Sequence, residues 1–173
     1  MVHGSRRTPF SFSAVCVSIT AYWLMKSEAE EASIDHLAAA PKHTLRWTGV
    51  RNYQARNFMR DGMSPGDGVL FYHSSCPEPG IAGLARIASD ARADRTQFDP
   101  DSPYFDPKST TDKPRWLEID VALVNKTRLL SLREMRAAHE LATMRVLQAG
   151  NRLSITPVSA VEWRAVNAVL ARC

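Results

Sequence analysis

Residues 49 to 60, GVRNYQARNFMR, set Arg51, Arg56 and Arg60 with Asn52 and Asn57 among Tyr53, Phe58 and Met59, with no acidic residue in the stretch. Such a segment is either a solvated helix face or a surface that holds something flat and negatively charged. The aromatic residues sharpen the question. Trp23, Trp47, Tyr53, Tyr72 and Trp116 each lie within a few positions of Lys26, Arg46, Arg51, Asn52 or Arg115. Aromatic platforms flanked by cations suit unpaired nucleobases and their phosphates. The same side chains could fill a core, and for Trp47 and Tyr72 both readings stand.

Other chemistries find less support. His73 and Cys76 in HSSC are three apart, but zinc needs three or four ligands and nothing nearby completes the set, so no metal is expected. Cys76 or Ser74 beside His73 would make a nucleophilic dyad only with geometry that strand neighbours on opposite faces rarely provide. No phosphate-cradling glycine loop and no paired carboxylates suggest hydrolysis. A catalytic residue and a cofactor are therefore not expected.

The chain has 173 residues, 45% hydrophobic and 23% charged, as for one globular domain with a sizeable core. Cys16, Cys76 and Cys173 are far apart and odd in number, which points to a reducing compartment, the cytoplasm. No apolar run approaches the ~20 residues needed to span a bilayer, so no membrane partner is expected. The net charge of +4 is unevenly spread. Lys42 to Arg60 carries only basic charge, whereas Glu28, Glu30, Glu31 and Asp35 make the preceding segment acidic. A local basic patch is how an anion-binding face looks in sequence. Residues 1–20 faintly mimic a secretory signal, but Pro9 and several hydroxyl residues dilute the apolar stretch. They read as a flexible extension, and residues 21–173 as one domain.

The elements that must position these residues follow in order. AYWLMK (21–26) reads as a strand. Ser33 caps a short helix that Pro41 ends. Asn52 caps a helix over 53–61 in which Ala55, Phe58 and Met59 share one face and Arg56 and Arg60 another. SPGD (64–67) has the Pro and Gly of a type II turn and launches the strand GVLFYHS, with GIAGLARIAS as the next. Pro100, Pro103, Pro107 and Pro114 keep 97–114 irregular, and so long a loop is usually functional or a lid. In RWLEIDVALV, Leu117, Ile119, Val121 and Leu123 alternate with Trp116, Glu118, Asp120 and Ala122, which predicts one buried and one largely wet face. Ser131 with Glu134, and Ser159 with Glu162, form capping boxes for two further helices, the first running to about Leu141. GNRLSIT turns into a last strand. The pattern predicts an α+β protein: a small, mostly antiparallel β-barrel of five to six strands with short helices around it.

Taken together, YWLMKSE, WTGVRNYQARNFMRD, GDGVLFYHSSC, PGIAGLARI, DPKS, RW and GNRLSITPV occur in the order and spacing of the EVE domain. The resemblance runs from Ala21 to about Val166. It implies a PUA-like fold related to PUA, ASCH and YTH domains, and a nucleic-acid-binding module, for DNA or RNA, that recognises a modified base, modified cytosine being the leading proposal. Transferred to this sequence, it implies a base pocket lined by Trp23, Lys26 and Ser27; by Trp47, Gly49, Val50, Arg51 and Asn52; by Tyr72, His73 and Ser74; and by Arg152, Leu153 and Ser154. Arg56 and Arg60 would meet phosphates at its rim. An ASCH-like enzyme acting on a nucleoside or nucleic acid, with Lys26 and Tyr72 as its chemistry, and a small-metabolite pocket are the alternatives. A monomer is expected. The family's usual Pro after KSE is Ala29 here, and residues 1–20 are not part of the pattern.

Overall fold

Each of the four α-helices in the computed structural model, which describes residues 21–172, starts where a side chain satisfies its first amides. Ser33 accepts from His36 N before α1 (Ile34–Ala39), and His36 answers by accepting from Ser33 N. Asn52 accepts from Gln54 N and Ala55 N before α2 (Tyr53–Asp61). The two capping boxes open α3 (Leu132–Ala137) and α4 (Ala160–Leu170) as the sequence predicts. The helix from Ser131 is shorter than expected: it stops at Ala137 and continues as a single 3-10 turn, His139–Leu141. The expected extension, residues 1–20, lies outside the described residues.

The described residues form seven strands: β1 (Tyr22–Glu28), β2 (Thr44–Trp47), β3 (Gly68–Ser74), β4 (Gly80–Ile87), β5 (Arg92–Ala93), β6 (Leu117–Ser131) and β7 (Ile155–Val158). Gly66, at φ +98°, takes the position of the SPGD turn that requires a positive φ, and Asp67 N closes the turn on Ser64 O at 3.1 Å before β3 begins. The strand order is β2-β6-β4-β3-β1-β7, with β5 paired to β6. Only β1 and β3 run parallel; the other pairings are antiparallel. The fold is α+β as expected, but the hydrogen-bonded order ends at β2 and β7 and the sheet is open. Residues of β2 and of the segment leading into β7 line one cavity, so ligand space is left between these ends.

Two apolar clusters cover the two faces. Trp23, Met25, Val69 and Phe71 join Ile34 and Leu37 of α1 and Ala55 and Met59 of α2. Leu24, Leu70 and Tyr72 join Met135 of α3 and Val166 and Val169 of α4. β1 and β3 are thus buried on both sides, which accounts for their unbroken apolar runs. The face of β6 expected to be wet is largely covered: Trp116, Glu118 and Ala122 are buried, and only Asp120 of the four keeps part of its surface in water. Its cover is the chain between β5 and β6. Asp94 N donates to Trp116 O at 3.0 Å, and Gln97, itself buried, donates from Nε2 to Trp116 O at 2.9 Å and accepts from Arg115 N and Trp116 N. Trp116 Nε1 donates to Asp106 at 2.7 Å, so the proline-rich loop is also tied at its middle. Among the described residues no helix is long and apolar enough to cross a membrane.

Candidate nucleic-acid interface

At the open end of the sheet, the last residues of β1 are tied to the segment that leads into β7: Lys26 N donates to Ser154 O at 2.7 Å. Ser74, at the end of β3, donates through Oγ to Ser27 O at 3.1 Å, and Ser27 Oγ donates to Ala32 O, which shapes the turn after β1. On the other side, the chain leaving β2 turns at Gly49, whose φ is +78° and whose N–H donates to Asp94 Oδ2 at 3.0 Å. Between these walls lies a cavity of about 580 Å³. Lys26, Ser27, Glu28, Glu31, Ala32 and His36 line it from β1 to α1; Leu45, Arg46, Trp47, Thr48, Gly49 and Val50 from β2; Ser74, Tyr104, Arg152 and Ser154 complete it.

One buried carboxylate organises the β2 wall. Asp94 has no exposed side-chain surface and holds both Gly49 N and the Arg51 guanidinium, the latter at 2.8 Å. Burial alone would raise the Asp94 pKa, but the hydrogen bonds from Thr96, Arg51 and Gly49 outweigh it and hold the carboxyl below its usual value. Arg51 also donates from Nε to Tyr104 O at 2.9 Å and from Nη2 to Thr96 Oγ1 at 3.0 Å, and its guanidinium lies 5.5 Å from the Tyr104 and Trp116 ring centres. The loop is thereby set so that Tyr104 meets Gly49 face on: a Cβ at Gly49 would fall 2.7 Å from the ring. Tyr104 Oη then donates to the Glu31 carboxylate at 3.0 Å and bridges the two walls. Burial, and next the hydrogen bond to Glu31, push the Tyr104 phenol above its usual pKa, so it stays a neutral donor at pH 7. Burial lowers the Lys26 pKa from its ordinary value. Trp47 packs edge-on against Phe71, with ring centres 5.6 Å apart. The cavity therefore combines aromatic and aliphatic walls with converging cations, carboxylates and hydroxyls. That is the composition of a site for a flat, polar-edged ligand, and its volume lies in the range of small-molecule sites.

The EVE domain family model matches residues 21–169. The chain belongs to the EVE domain family. It is 43% identical over 164 residues to human thymocyte nuclear protein 1, covering 84% of this chain and 72% of that one. Among solved structures it is similar to a Pseudomonas syringae protein, with 48% identity and a TM-score of 0.82 over 86% of this chain and 99% of the other. It is also similar to the human THYN1 protein, solved in complex with 5-methylcytosine-containing DNA, with 41% identity and a TM-score of 0.84 over 89% of this chain and 99% of that chain.

Of the residues proposed from sequence, this EVE domain brings Lys26, Ser27, Trp47, Gly49, Val50, Ser74, Arg152 and Ser154 together around the cavity. It places the others elsewhere. Trp23 is buried against Phe58 and donates from Nε1 to Asp67 at 3.0 Å, so it is a core residue and not part of the lining. Tyr72 belongs to the apolar cluster on the other face of the sheet. His73 accepts from Ile34 N through Nε2 at 2.9 Å, which spends the nitrogen that a neighbouring Ser74 or Cys76 would need. Asn52 serves as the α2 cap, Arg51 stands behind the wall, and Leu153 does not line the cavity. Arg56 donates to Arg115 O and Asn57 and lies 4.9 Å from the Tyr53 ring centre; Arg60 is chelated by Asp61 at 2.7 Å. Neither lines the cavity. Among the described residues no group of three His, Cys, Asp or Glu side chains is placed to hold a metal ion.

Eight lining residues were not anticipated: Glu28, Glu31, Ala32, His36, Leu45, Arg46, Thr48 and Tyr104. Tyr104 had a signal, since it lies in the four-proline loop whose length marked it as functional. Arg46 had one too, as a cation beside Trp47. Glu28 and Glu31 had none, because acidic residues were read only as contrast to the basic stretch.

Proposed function

We propose that this EVE domain is a non-catalytic nucleic-acid-binding module that takes one modified base, a methylated cytosine, out of its strand and into the cavity. The observation that carries the reading is the cavity itself, on a chain 41% identical to human THYN1, a protein solved with 5-methylcytosine-containing DNA. A base leaving its stack needs flat apolar contact and partners for its edge. Trp47, Val50 and Tyr104 supply the first. Lys26, Arg152 and Ser154 supply donors, and Glu28 and Glu31, with the Ser27 and Ser74 hydroxyl oxygens, supply acceptors of the kind an exocyclic amine requires. Gly49 leaves room for close approach of the ligand and the Tyr104 ring. The commitment of His73 Nε2 to Ile34 supports binding over nucleophilic catalysis.

The test is a binding array of matched oligonucleotides, DNA and RNA, single- and double-stranded, with and without 5-methylcytosine. Preferential binding of the methylated member of at least one pair is expected. Equal affinity across every pair overturns the reading, as does turnover of a nucleoside or oligonucleotide that Lys26→Ala abolishes.

A further inference from the structure

The mouth of the cavity carries charge of both signs, and the two signs come from different elements. The end of β1 contributes Glu28 and the turn after it Glu31, whereas β2 contributes Arg46. Arg46 is one of three arginines gathered on a single carboxylate, Glu118, which has no exposed side-chain surface. Arg92 is fully engaged: Nε donates to Glu118 at 2.9 Å, Nη1 to Ser89 at 3.0 Å and Asp120 at 3.1 Å, and Nη2 to Asp120 at 2.7 Å. Arg46 and Arg95 reach Glu118 through Nε, at 3.3 and 4.0 Å, and their side chains are 45% and 69% exposed. Among the described residues their terminal nitrogens make no hydrogen bond, and both charges act on the half-buried Asp120 carboxylate, whose own hydrogen bonds come from Arg92. Glu118 thus lies buried beneath arginines whose own side chains are open to water.

We propose that Arg46 and Arg95 form the phosphate-binding ridge of this domain, with Arg92 as its brace, and that the backbone of the bound strand crosses this ridge while its base enters the cavity. This rests on the nucleic-acid reading above. The warrant is preorganisation. Glu118 holds the Arg46 guanidinium at 3.3 Å and accepts from Arg95 N at 3.4 Å, so both residues are placed before a phosphate is gripped, and guanidinium forks match phosphate oxygens. A strand led over the Glu28–Glu31 turn would meet carboxylates instead. The α2 arginines are poorer candidates, since Arg60 is neutralised by Asp61 and Arg56 is occupied by Arg115 O and Asn57.

The experiment is a salt titration of oligonucleotide affinity, read by fluorescence anisotropy, for the wild type and for Arg95→Ala, Arg46→Ala, Arg95→Lys and Arg60→Ala, each checked for an unchanged melting temperature. Arg95→Ala and Arg46→Ala should each lower the slope of log affinity against log salt by about 0.7–0.9, the value for one lost phosphate contact. Arg95→Ala should weaken methylated and unmethylated oligonucleotides by the same factor. Arg95→Lys should keep the slope, and Arg60→Ala should leave it alone. Unchanged slopes for both ridge variants in a protein that still prefers the methylated base overturn the ridge and leave the base reading intact. A slope that depends on Arg95 without any base preference supports the ridge and defeats the base reading. A wild type that binds no oligonucleotide overturns both.

Discussion

Asp94 and Glu118 lie on neighbouring parts of one wall, both with no exposed side-chain surface and both satisfied by arginine, yet they hold their arginines in opposite directions. Asp94 draws Arg51 inward, leaves it 22% exposed, and uses it to fix Tyr104 and Gly49 against the cavity. Glu118 holds Arg46, Arg92 and Arg95 from beneath, with 45%, 36% and 69% of each side chain in water. The same pair of residue types builds a rigid wall in one place and a charged exterior in the other. What differs is whether the cation is also enclosed.

The comparison breaks or holds first on stability. Asp94→Ala leaves the Arg51 guanidinium and Gly49 N–H enclosed without their partner and should cost about 3–5 kcal/mol. Glu118→Ala frees arginines that water can solvate and should cost less, about 1–3 kcal/mol. Denaturant unfolding of the two variants measures both, and equal losses would erase the distinction. The Asp94 carboxyl has a depressed pKa in the folded protein, so its contribution is full above the usual value near 4 and is lost as pH falls through the depressed one. The gap between wild type and Asp94→Asn should therefore narrow below about pH 4.

Gly49→Ala sharpens the inward side of the comparison. It must hold a left-handed φ and push a methyl into the Tyr104 ring, so a loss of about 1–2 kcal/mol from the backbone alone is expected. The cavity should suffer with it, and a variant that keeps full preference for the methylated base would show that the Tyr104–Gly49 contact does not shape the site.

The smallest effect belongs to neither region and provides a baseline. Burial, countered by Asp35 and assisted by Lys126, holds the His73 imidazole below its usual pKa, and the neutral ring accepts from Ile34 N. Stability from this group is full above about pH 6.5 and declines as pH falls. His73→Gln keeps an acceptor and removes the titration, so its melting temperature should fall less than the wild type's between pH 7.5 and 5.5. A larger fall in the variant would mean that the imidazole's shape, and not its charge state, matters.

Local structure was legible wherever neighbours in sequence decide it. Asn52, Ser131 and Ser159 cap helices because the amides they serve are two or three residues away, and Gly66 turns because Pro65 and Gly66 demand it. β2 escaped notice, since it has four residues and follows Lys42 and His43, which take positive φ against their residue type. Half of the lining was legible by its likeness to a known pattern. What failed were positions settled at long range. Trp23 became a core residue because Asp67 lies beside it, and Tyr104 reached the cavity because Gln97, Asp94 and Arg51 pin a loop that looks unstructured from its prolines. Arginine gave a count of charges but not their direction, since Arg46 and Arg51 reach different buried carboxylates and are enclosed to different degrees.

The pairing of β1 has a consequence for how the chain is made. One edge joins β3, in register Tyr22↔Gly68, but the other joins β7, in register Tyr22↔Val158. A ribosome delivering about 5–20 residues per second leaves that second edge unpaired for on the order of 10 s. Throughout, Tyr22, Trp23, Leu24 and Met25 present an apolar strand edge of the kind that recruits other chains. Contacts so distant in sequence also slow refolding, because the loop must close before they reward it. Crowded expression should therefore lose this protein to aggregation before residue 158 emerges, and the yield of native chains depends on how well β1 is shielded until its last partner arrives.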